Sequence, residues 1–421
     1  MSGALAQEFF ASRWVQRPPH VTPDGGGLPG GFRAASAWAA IKPAGVVDLG
    51  LLVCDGPDPV SAARFTRSGV LAPPVLVTRD ETIANGLRAV IANSGNANAA
   101  TGRAGMEAAR AMQRAAAGAL GIDPGSVGVA STGVIGVPLP TAGLPSAAAA
   151  AAAALRPDGA EAFSEAIMTT DAFPKRATLS VALPSGTVRL SAQAKGAGMI
   201  EPAFATMLCF VQTDAALAPE TAELLLGVCV KRSFDRISVD GQLSTNDTVI
   251  LMCSGASGVA VAPESEDELR LGEALDALLR MLAIMIVRDG EGAKRIGRVV
   301  VRGAEQAVAE RCARAVANSP IVKTALHGAD PNWGRIAQAV GAALPGTAPL
   351  ELDIAIEGIA VCAGGVAVVH DVAALQVAAA GVEIEYAVGL PGFDPADPAE
   401  TEVLFSDLGH AYVTINAEYT T

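Results

Sequence analysis

Apolar and polar positions along the chain follow two patterns, which predict two kinds of element. Short, mostly apolar runs are typical of buried strands, and they occur at 46–54, 75–77, 87–92, 179–183, 187–193, 248–253, 298–302, 350–356, 361–369, 382–388 and 411–415. Longer stretches rich in alanine, leucine and other good helix formers predict helices at 104–120, 147–155, 219–234, 266–287 and 304–317. Because both kinds of element are mixed along the whole length, the pattern predicts a layered α/β fold.

The composition indicates a globular protein with a large core. The chain has 421 residues, of which 51% are hydrophobic and 17% are charged, and this is not the composition of a disordered chain. Aromatic residues make up only 4% of the total. Valine, leucine, isoleucine and alanine must therefore fill most of the core.

Charge, cysteine and histidine content argue against several classes of function. A net charge of −13 disfavours nucleic acid and anionic membrane surfaces as partners, because both attract basic proteins. A single local lysine can still bind a small anionic substrate at short range. The six cysteines are far apart and form no CxxC, which favours reduced core thiols over disulfides or structural zinc. The four histidines have no metal-binding spacing, so no catalytic metal is predicted.

The sequence shows no sign of secretion or membrane insertion. Residues 1–13 contain Glu8 and lack a long apolar region, so they do not resemble a signal peptide. No apolar run reaches the roughly 18 residues that a membrane span needs. We therefore expect a cytoplasmic enzyme.

The segment from Lys195 to Leu208, KGAGMIEPAFATML, carries the candidate chemistry. Gly196 and Gly198 permit backbone angles that other residues avoid, and an apolar run follows directly after Thr206. A threonine hydroxyl can attack the carbonyl group that precedes it, and hydrolysis of the resulting ester would leave Thr206 with a free α-amine. Because an α-amine titrates at about pH 8, a sizeable neutral fraction can act as general base on the residue's own hydroxyl. This mechanism needs no histidine.

The same segment resembles the cleavage motif of the ornithine acetyltransferase (ArgJ) family, whose precursors divide before the threonine of an ATML stretch. Here that stretch is Ala205-Thr206-Met207-Leu208. The resemblance covers nearly the whole chain, from residue 31 to residue 421, through further blocks in the family's order. These are GFRA at 31–34, NSGNAN at 93–98, STGVIG at 131–136, MTTD at 168–171, VDG at 239–241, STNDT at 244–248, RDGEGA at 288–293, DPNWGR at 330–335, YV at 412–413 and INA at 415–417.

The resemblance implies a role for each matching site residue. Thr206 would be the nucleophile, the bond between Ala205 and Thr206 would be cleaved, and Thr132 and Gly133 would form the oxyanion hole. A lysine suits a substrate carboxylate, and a glutamate suits the distal ammonium group of ornithine. The implied substrate-binding residues are Thr169, Lys195, Thr206, Glu291, Asn416 and Thr421.

The family's architecture and reaction are implied in the same way. The fold would be a layered α/β sandwich of the N-terminal-nucleophile-like type with a smaller C-terminal domain. Self-cleavage would give an α chain of residues 1–205 and a β chain of residues 206–421, paired as an α2β2 heterotetramer. The reaction would be ping-pong transfer of acetyl from N2-acetyl-ornithine to glutamate, in arginine biosynthesis, without a metal or redox cofactor. The sequence leaves open whether acetyl-CoA is also a donor and how fine specificity is set.

Two other functions remain open from the residues. If water rather than glutamate resolves the acyl-enzyme, the chain is an N-terminal-threonine amidohydrolase or aminopeptidase, which releases acetate. If residues 195–208 are only a structural loop, the chain is an amino-acid-binding protein. That alternative predicts no cleavage and no acetyl adduct on Thr206.

Overall fold

A computed structural model describes residues 9–201, 207–391 and 400–418, and the structural statements below concern these ranges. The strands are β1 (Val21–Pro23), β2 (Phe32–Ala37), β3 (Leu49–Cys54), β4 (Val60–Phe65), β5 (Ala89–Asn96), β6 (Val127–Val134), β7 (Lys175–Leu183), β8 (Gly186–Lys195), β9 (Leu208–Thr213), β10 (Ala216–Leu217), β11 (Ile237–Ser238), β12 (Thr248–Cys253), β13 (Ala260–Val261), β14 (Ile296–Arg302), β15 (Asp353–Ile356), β16 (Ile359–Ala363), β17 (Val366–Ala367), β18 (Glu383–Gly389) and β19 (Glu400–Ser406). The helices are α1 (Pro73–Asp80), α2 (Gly102–Leu120), α3 (Leu144–Ala153), α4 (Ala160–Ala166), α5 (Pro219–Arg232), α6 (Glu266–Arg288), α7 (Gln306–Asn318), α8 (Pro320–His327), α9 (Trp333–Ala343), α10 (Val372–Ala378) and α11 (His410–Glu418).

The N-terminal part of the chain builds a four-stranded sheet in the order β2-β3-β5-β6. Strands β5 and β6 are parallel, and the other neighbours are antiparallel. One face packs on α2 and α3, where Leu51 and Ile91 meet alanines of both helices in a shared core. The small alanine side chains allow these helices to lie close to the sheet.

A six-stranded sheet in the order β1-β7-β8-β9-β12-β4 lies against the other face of the first sheet. Strand β9 is buried on both faces. Since successive side chains point to opposite sides of a strand, its residues enter two different cores. Leu208 and Phe210 enter the core between the two sheets, whereas Cys209 and Val211 pack in the core formed with α5 and α6. The order helix, sheet, sheet, helix confirms the predicted layered α/β class.

The C-terminal part of the chain has a hydrophobic core of its own. Seven strands form a sheet in the order β11-β19-β14-β18-β15-β16-β17, and residues of α7, α8 and α9 complete its core. Strands β10 and β13 make a separate two-stranded pairing. All six cysteines are buried as free thiols, as the sequence predicts.

Two predicted strands are wrong. Residues 75–77 lie in α1, which begins at Pro73 and Pro74, and proline suits the first turn because its missing N–H is not needed there. Residues 411–415 lie in α11, where Tyr412 and Ile415 are partly buried between exposed neighbours. Contacts at helical spacing thus override the strand preference of the β-branched residues. No helix within the described ranges is both long and apolar enough to cross a bilayer.

Candidate active site

The predicted oxyanion pair lies at the carboxyl ends of two parallel strands. Thr132 and Gly133, near the end of β6, are register partners of Ser94 and Gly95 in β5. Gly133 has a φ of +133°, and a Cβ atom there would lie 2.3 Å from the carbonyl carbon of Gly95. Only glycine fits this approach, which leaves its backbone beside the buried Thr132 hydroxyl.

Lys195 connects Thr132 of β6 with Thr169, another predicted site residue. It is the last residue of β8, and its side chain is almost fully buried. Its ammonium group donates to Thr169 Oγ1 at 2.6 Å and to Thr132 Oγ1 at 3.3 Å. Three residues that are far apart in sequence therefore meet around one buried positive charge.

A buried carboxylate, Asp171, holds this group of residues in place. Asp171 Oδ1 accepts from Gly196 N at 2.6 Å and Lys175 Nζ at 2.7 Å, and Oδ2 lies 3.5 Å from Lys195 Nζ. Oδ2 also accepts from Thr169 N at 3.0 Å. Burial alone would raise the pKa of Asp171, but the two lysines hold it well below its usual range. Asp171 is therefore ionised near neutral pH.

Burial also lowers the pKa of Lys195, while the charge of Asp171 opposes that change.

The second lysine of the network, Lys175, has a further partner in Asp289, whose Oδ2 lies 2.5 Å from Lys175 Nζ. Asp289 accepts from Ala172 N at 3.0 Å and lies two residues before Glu291. The charge network thus connects the segment carrying Thr169 to the segment carrying Glu291.

The predicted ammonium-binding end of the site is built around Glu291. A Cβ atom on Gly198 would lie 2.5 Å from Glu291 Oε1, so the carboxylate rests directly on the backbone of the 195–198 segment. Glu291 N also donates to Ala197 O at 3.1 Å. Asn416 of α11 donates to Glu291 Oε2 at 2.6 Å. The C-terminal helix therefore brings Asn416 to the carboxylate that rests on the 195–198 segment.

Three predicted site residues, Ala205, Thr206 and Thr421, lie outside the described residues. The described chain resumes at Met207, and Leu208 is the register partner of Lys195 in β8. The first strand residue after the predicted cleavage position thus lies beside Lys195. The roles of the nucleophile and of Thr421 stay predictions.

A second buried carboxyl group, Asp247, contacts the peptide that follows position 206. Asp247 Oδ1 accepts from Met207 N at 3.0 Å, while Oδ2 has no hydrogen-bond partner within the described ranges. Burial raises the pKa of Asp247 well above its usual value. The neighbouring Asn246 donates to Ser131 O at 2.9 Å, which ties this segment to the oxyanion strand.

Sequence reasoning did not single out three residues of this region, Asp171, Asp247 and Lys175. Asp171 and Asp247 were visible inside the MTTD and STNDT blocks, but nothing in their spacing shows a carboxylate between lysines or a contact with Met207. Lys175 lies outside every recognised block. Among the residues that the structure describes, no cluster of three or more histidine, cysteine, aspartate or glutamate side chains could hold a metal ion.

Comparison with known proteins provides independent information. The sequence model of the ArgJ family matches residues 33–421. The arginine biosynthesis bifunctional protein ArgJ of Symbiobacterium thermophilum is 44% identical over 397 residues, covering 93% of this chain and 98% of that protein. The protein of the same name from Nitratidesulfovibrio vulgaris is 43% identical, again over 93% of this chain and 98% of the relative.

Two solved structures are also similar to parts of the chain. The arginine biosynthesis bifunctional protein ArgJ of Bacillus halodurans is 33% identical with a TM-score of 0.46, covering 50% of this chain and 98% of that chain. The ornithine acetyltransferase of Mycobacterium tuberculosis, complexed with ornithine, is 38% identical with a TM-score of 0.39. That match covers 43% of this chain and 96% of the solved chain.

Proposed function

We propose that this chain, which belongs to the ArgJ family, is a self-cleaving acetyltransferase of arginine biosynthesis. It moves acetyl from N2-acetyl-ornithine to glutamate and yields ornithine and N-acetylglutamate. Membership of the family confirms the resemblance found in the sequence.

One geometric observation supports this function most directly. Thr132, Thr169 and Lys195 converge at the end of β8, and the strand that follows position 206 begins beside Lys195. Glu291 and Asn416 lie at the other end of the 195–198 segment. An amino acid that binds by its carboxylate at the lysine and by a side-chain ammonium at the glutamate would lie along the 195–198 segment.

The first half-reaction transfers acetyl to the enzyme. The free α-amine of Thr206 removes the proton from its own hydroxyl, whose oxygen attacks the acetyl carbonyl carbon of N2-acetyl-ornithine. The Thr132 hydroxyl and the Gly133 N–H donate to the negative oxygen that develops, and each such donor is typically worth about 3 kcal/mol in the transition state. The carbon–nitrogen bond breaks, the departing amine takes the proton, and an acetyl ester remains on Thr206.

The second half-reaction reverses these steps with a different amine. The α-amine of glutamate attacks the ester carbonyl carbon, the carbon–oxygen bond breaks, and the hydroxyl of Thr206 regains its proton. Because the acetyl group moves between similar amines, the chemistry needs no metal and no redox cofactor. Acetyl-CoA as a second donor is a separate proposal that a direct comparison of the two donors would test.

The assembly and location follow from the same proposal. The two chains produced by cleavage, 1–205 and 206–421, would pair as an α2β2 heterotetramer. Its substrates are small molecules, and a cytoplasmic location stays a prediction from the sequence.

Intact mass and product analysis test the proposal together. The purified protein should separate into chains of 205 and 216 residues on denaturation, as counted from the cleavage position, and Thr206→Ala should remain whole. The wild type incubated with N2-acetyl-ornithine and glutamate should form N-acetylglutamate. A folded protein that stays uncut and forms no acetyl-enzyme would overturn the proposal, and acetate in place of N-acetylglutamate would identify a hydrolase instead.

A further inference from the structure

A second lysine, Lys42, lies beside the predicted oxyanion hole. Its carbon chain packs on Gly95, where a Cβ atom would lie 2.9 Å from Lys42 Cγ. Gly95 is the register partner of Gly133, and the two backbones are in direct contact. The position of Lys42 is set by Asp48, whose carboxylate accepts from the backbone N–H of Lys42 at 2.8 Å.

The ammonium group of Lys42 points to the same region as that of Lys195. Lys42 Nζ donates to Met168 O at 2.7 Å, and Lys195 Nζ donates to the side chain of the next residue, Thr169, at 2.6 Å. Since their acceptors belong to adjacent residues, the two charges are close neighbours. Burial lowers the pKa of Lys42, the charge of Asp48 opposes that change, and the charge of Lys195 adds to it.

Within the described ranges, the ammonium group of Lys42 donates no hydrogen bond to a carboxylate, although the charge of Asp48 acts on it. The Asp48 carboxylate is occupied by backbone N–H groups, since it also accepts from Ala39 N at 2.6 Å and Ile41 N at 2.7 Å. Asp171 bonds to Lys175 and lies near Lys195. A partly buried ammonium group whose direct hydrogen bond within the described ranges goes to a carbonyl oxygen is a favourable site for an anion.

The two proposed substrates differ in the charge of their side chains. Ornithine ends in an ammonium group, which suits Glu291, whereas glutamate ends in a second carboxylate that Glu291 would repel. Both must place the α-amine at the nucleophile, so Lys195 can hold the α-carboxylate of either. We propose that Lys42 binds the side-chain carboxylate of glutamate and thereby makes glutamate the preferred acceptor. This inference rests on the proposed function.

The test compares two reactions of one acetyl-enzyme. Exchange of labelled ornithine into N2-acetyl-ornithine involves no second carboxylate, whereas N-acetylglutamate formation does. Lys42→Met should lower kcat/KM for glutamate roughly tenfold to a hundredfold, mainly through KM, relative to its effect on exchange. Lys42→Arg keeps the charge and should recover part of the loss.

Glutamine as acceptor gives a second measurement on the same protein. It has the size of glutamate without the side-chain charge, so the wild type should prefer glutamate and Lys42→Met should lose most of that preference. Lys231→Met, at an exposed position of α5, is the control for loss of a lysine. Thermal melting and self-cleavage verify that each variant folds.

The outcomes separate this inference from the proposed function. If Lys42→Met lowers exchange and glutamate acetylation by the same factor, or changes neither, Lys42 does not bind the second carboxylate. A wild type that neither exchanges nor transfers acetyl would instead overturn the proposed function.

Discussion

Replacing Asp171 by asparagine should destabilise the protein, because it removes the negative charge between two buried lysines. With an effective dielectric constant of about 20, the attraction is about 6 kcal/mol for Lys175 at 2.7 Å and about 5 kcal/mol for Lys195 at 3.5 Å. Desolvation of the charges offsets much of this attraction. Removing one member of a buried ion pair typically costs about 3–5 kcal/mol. For a chain of this length that unfolds as one unit, the melting temperature should fall by about 3–6 °C.

Thermal melting of Asp171→Asn and of a matched control measures this effect. Asp158→Asn removes a carboxylate that pairs with Arg156 at 3.1 Å, but both side chains are well exposed, so its melting temperature should change by less than about 1 °C. The pKa of Asp171 is lowered in the folded state, so its contribution is complete above the ordinary aspartate pKa of about 4 and is lost as the pH falls below it. The difference from wild type should therefore be constant between about pH 6 and 8 and shrink below about pH 4. Melting of both variants at the same temperature would refute the role assigned to Asp171.

Three further substitutions test other parts of the site and its surroundings. Gly133→Ala should abolish activity because its Cβ atom has no room beside Gly95, whereas Gly118→Ala, in open space on α2, should keep full activity. Asp247→Asn should change the free energy of unfolding by less than about 1 kcal/mol, because the amide oxygen can still accept from Met207 N and because burial, which raises the pKa of Asp247, already disfavours the charge that the amide lacks. Burial lowers the pKa of Lys323 to about 7, so the folded state binds fewer protons than the unfolded state between about pH 7 and 10.4. The melting temperature of wild type should rise with pH across that window more steeply than that of Lys323→Met.

The fold could be predicted best where the apolar pattern of an element is strong. The predicted strand at 248–253 coincides with β12, because a strand covered on both faces is apolar at every position. The predicted helix at 266–287 matches α6 to within one residue for a different reason, since its apolar positions recur at helical spacing. Sequence reasoning did not find α8 or α9. Their sequences, PIVKTALH and WGRIAQAVGAA, are short and interrupted by polar residues or glycine.

The site could be predicted only as far as the resemblance reached. The matching blocks indicated Thr132, Lys195 and Glu291, and the structure brings the first two together through one ammonium group. No sequence pattern could show that Asp171 lies between two lysines, because Lys195 is 24 residues away in sequence and approaches it from the end of β8. Lys42 carries no motif at all, and its relevance depends on the contact of its carbon chain with Gly95. Contacts between residues far apart in sequence determine both features, and the spacing of residues within a motif does not show such contacts.

The sheet topology bears on what self-cleavage would do to the protein. A cut between residues 205 and 206 would separate β8 from β9 in the chain, yet the two strands pair along six residues from Leu190 with Thr213 to Lys195 with Leu208. Strand β9 is also held on its other side by β12, and its side chains fill the core between the two sheets. The new chains would therefore share one continuous hydrogen-bonded sheet and one core. Cleavage would free the α-amine of residue 206, two positions before β9 in the sequence, without releasing either chain, so described residues of both chains would stay in one site.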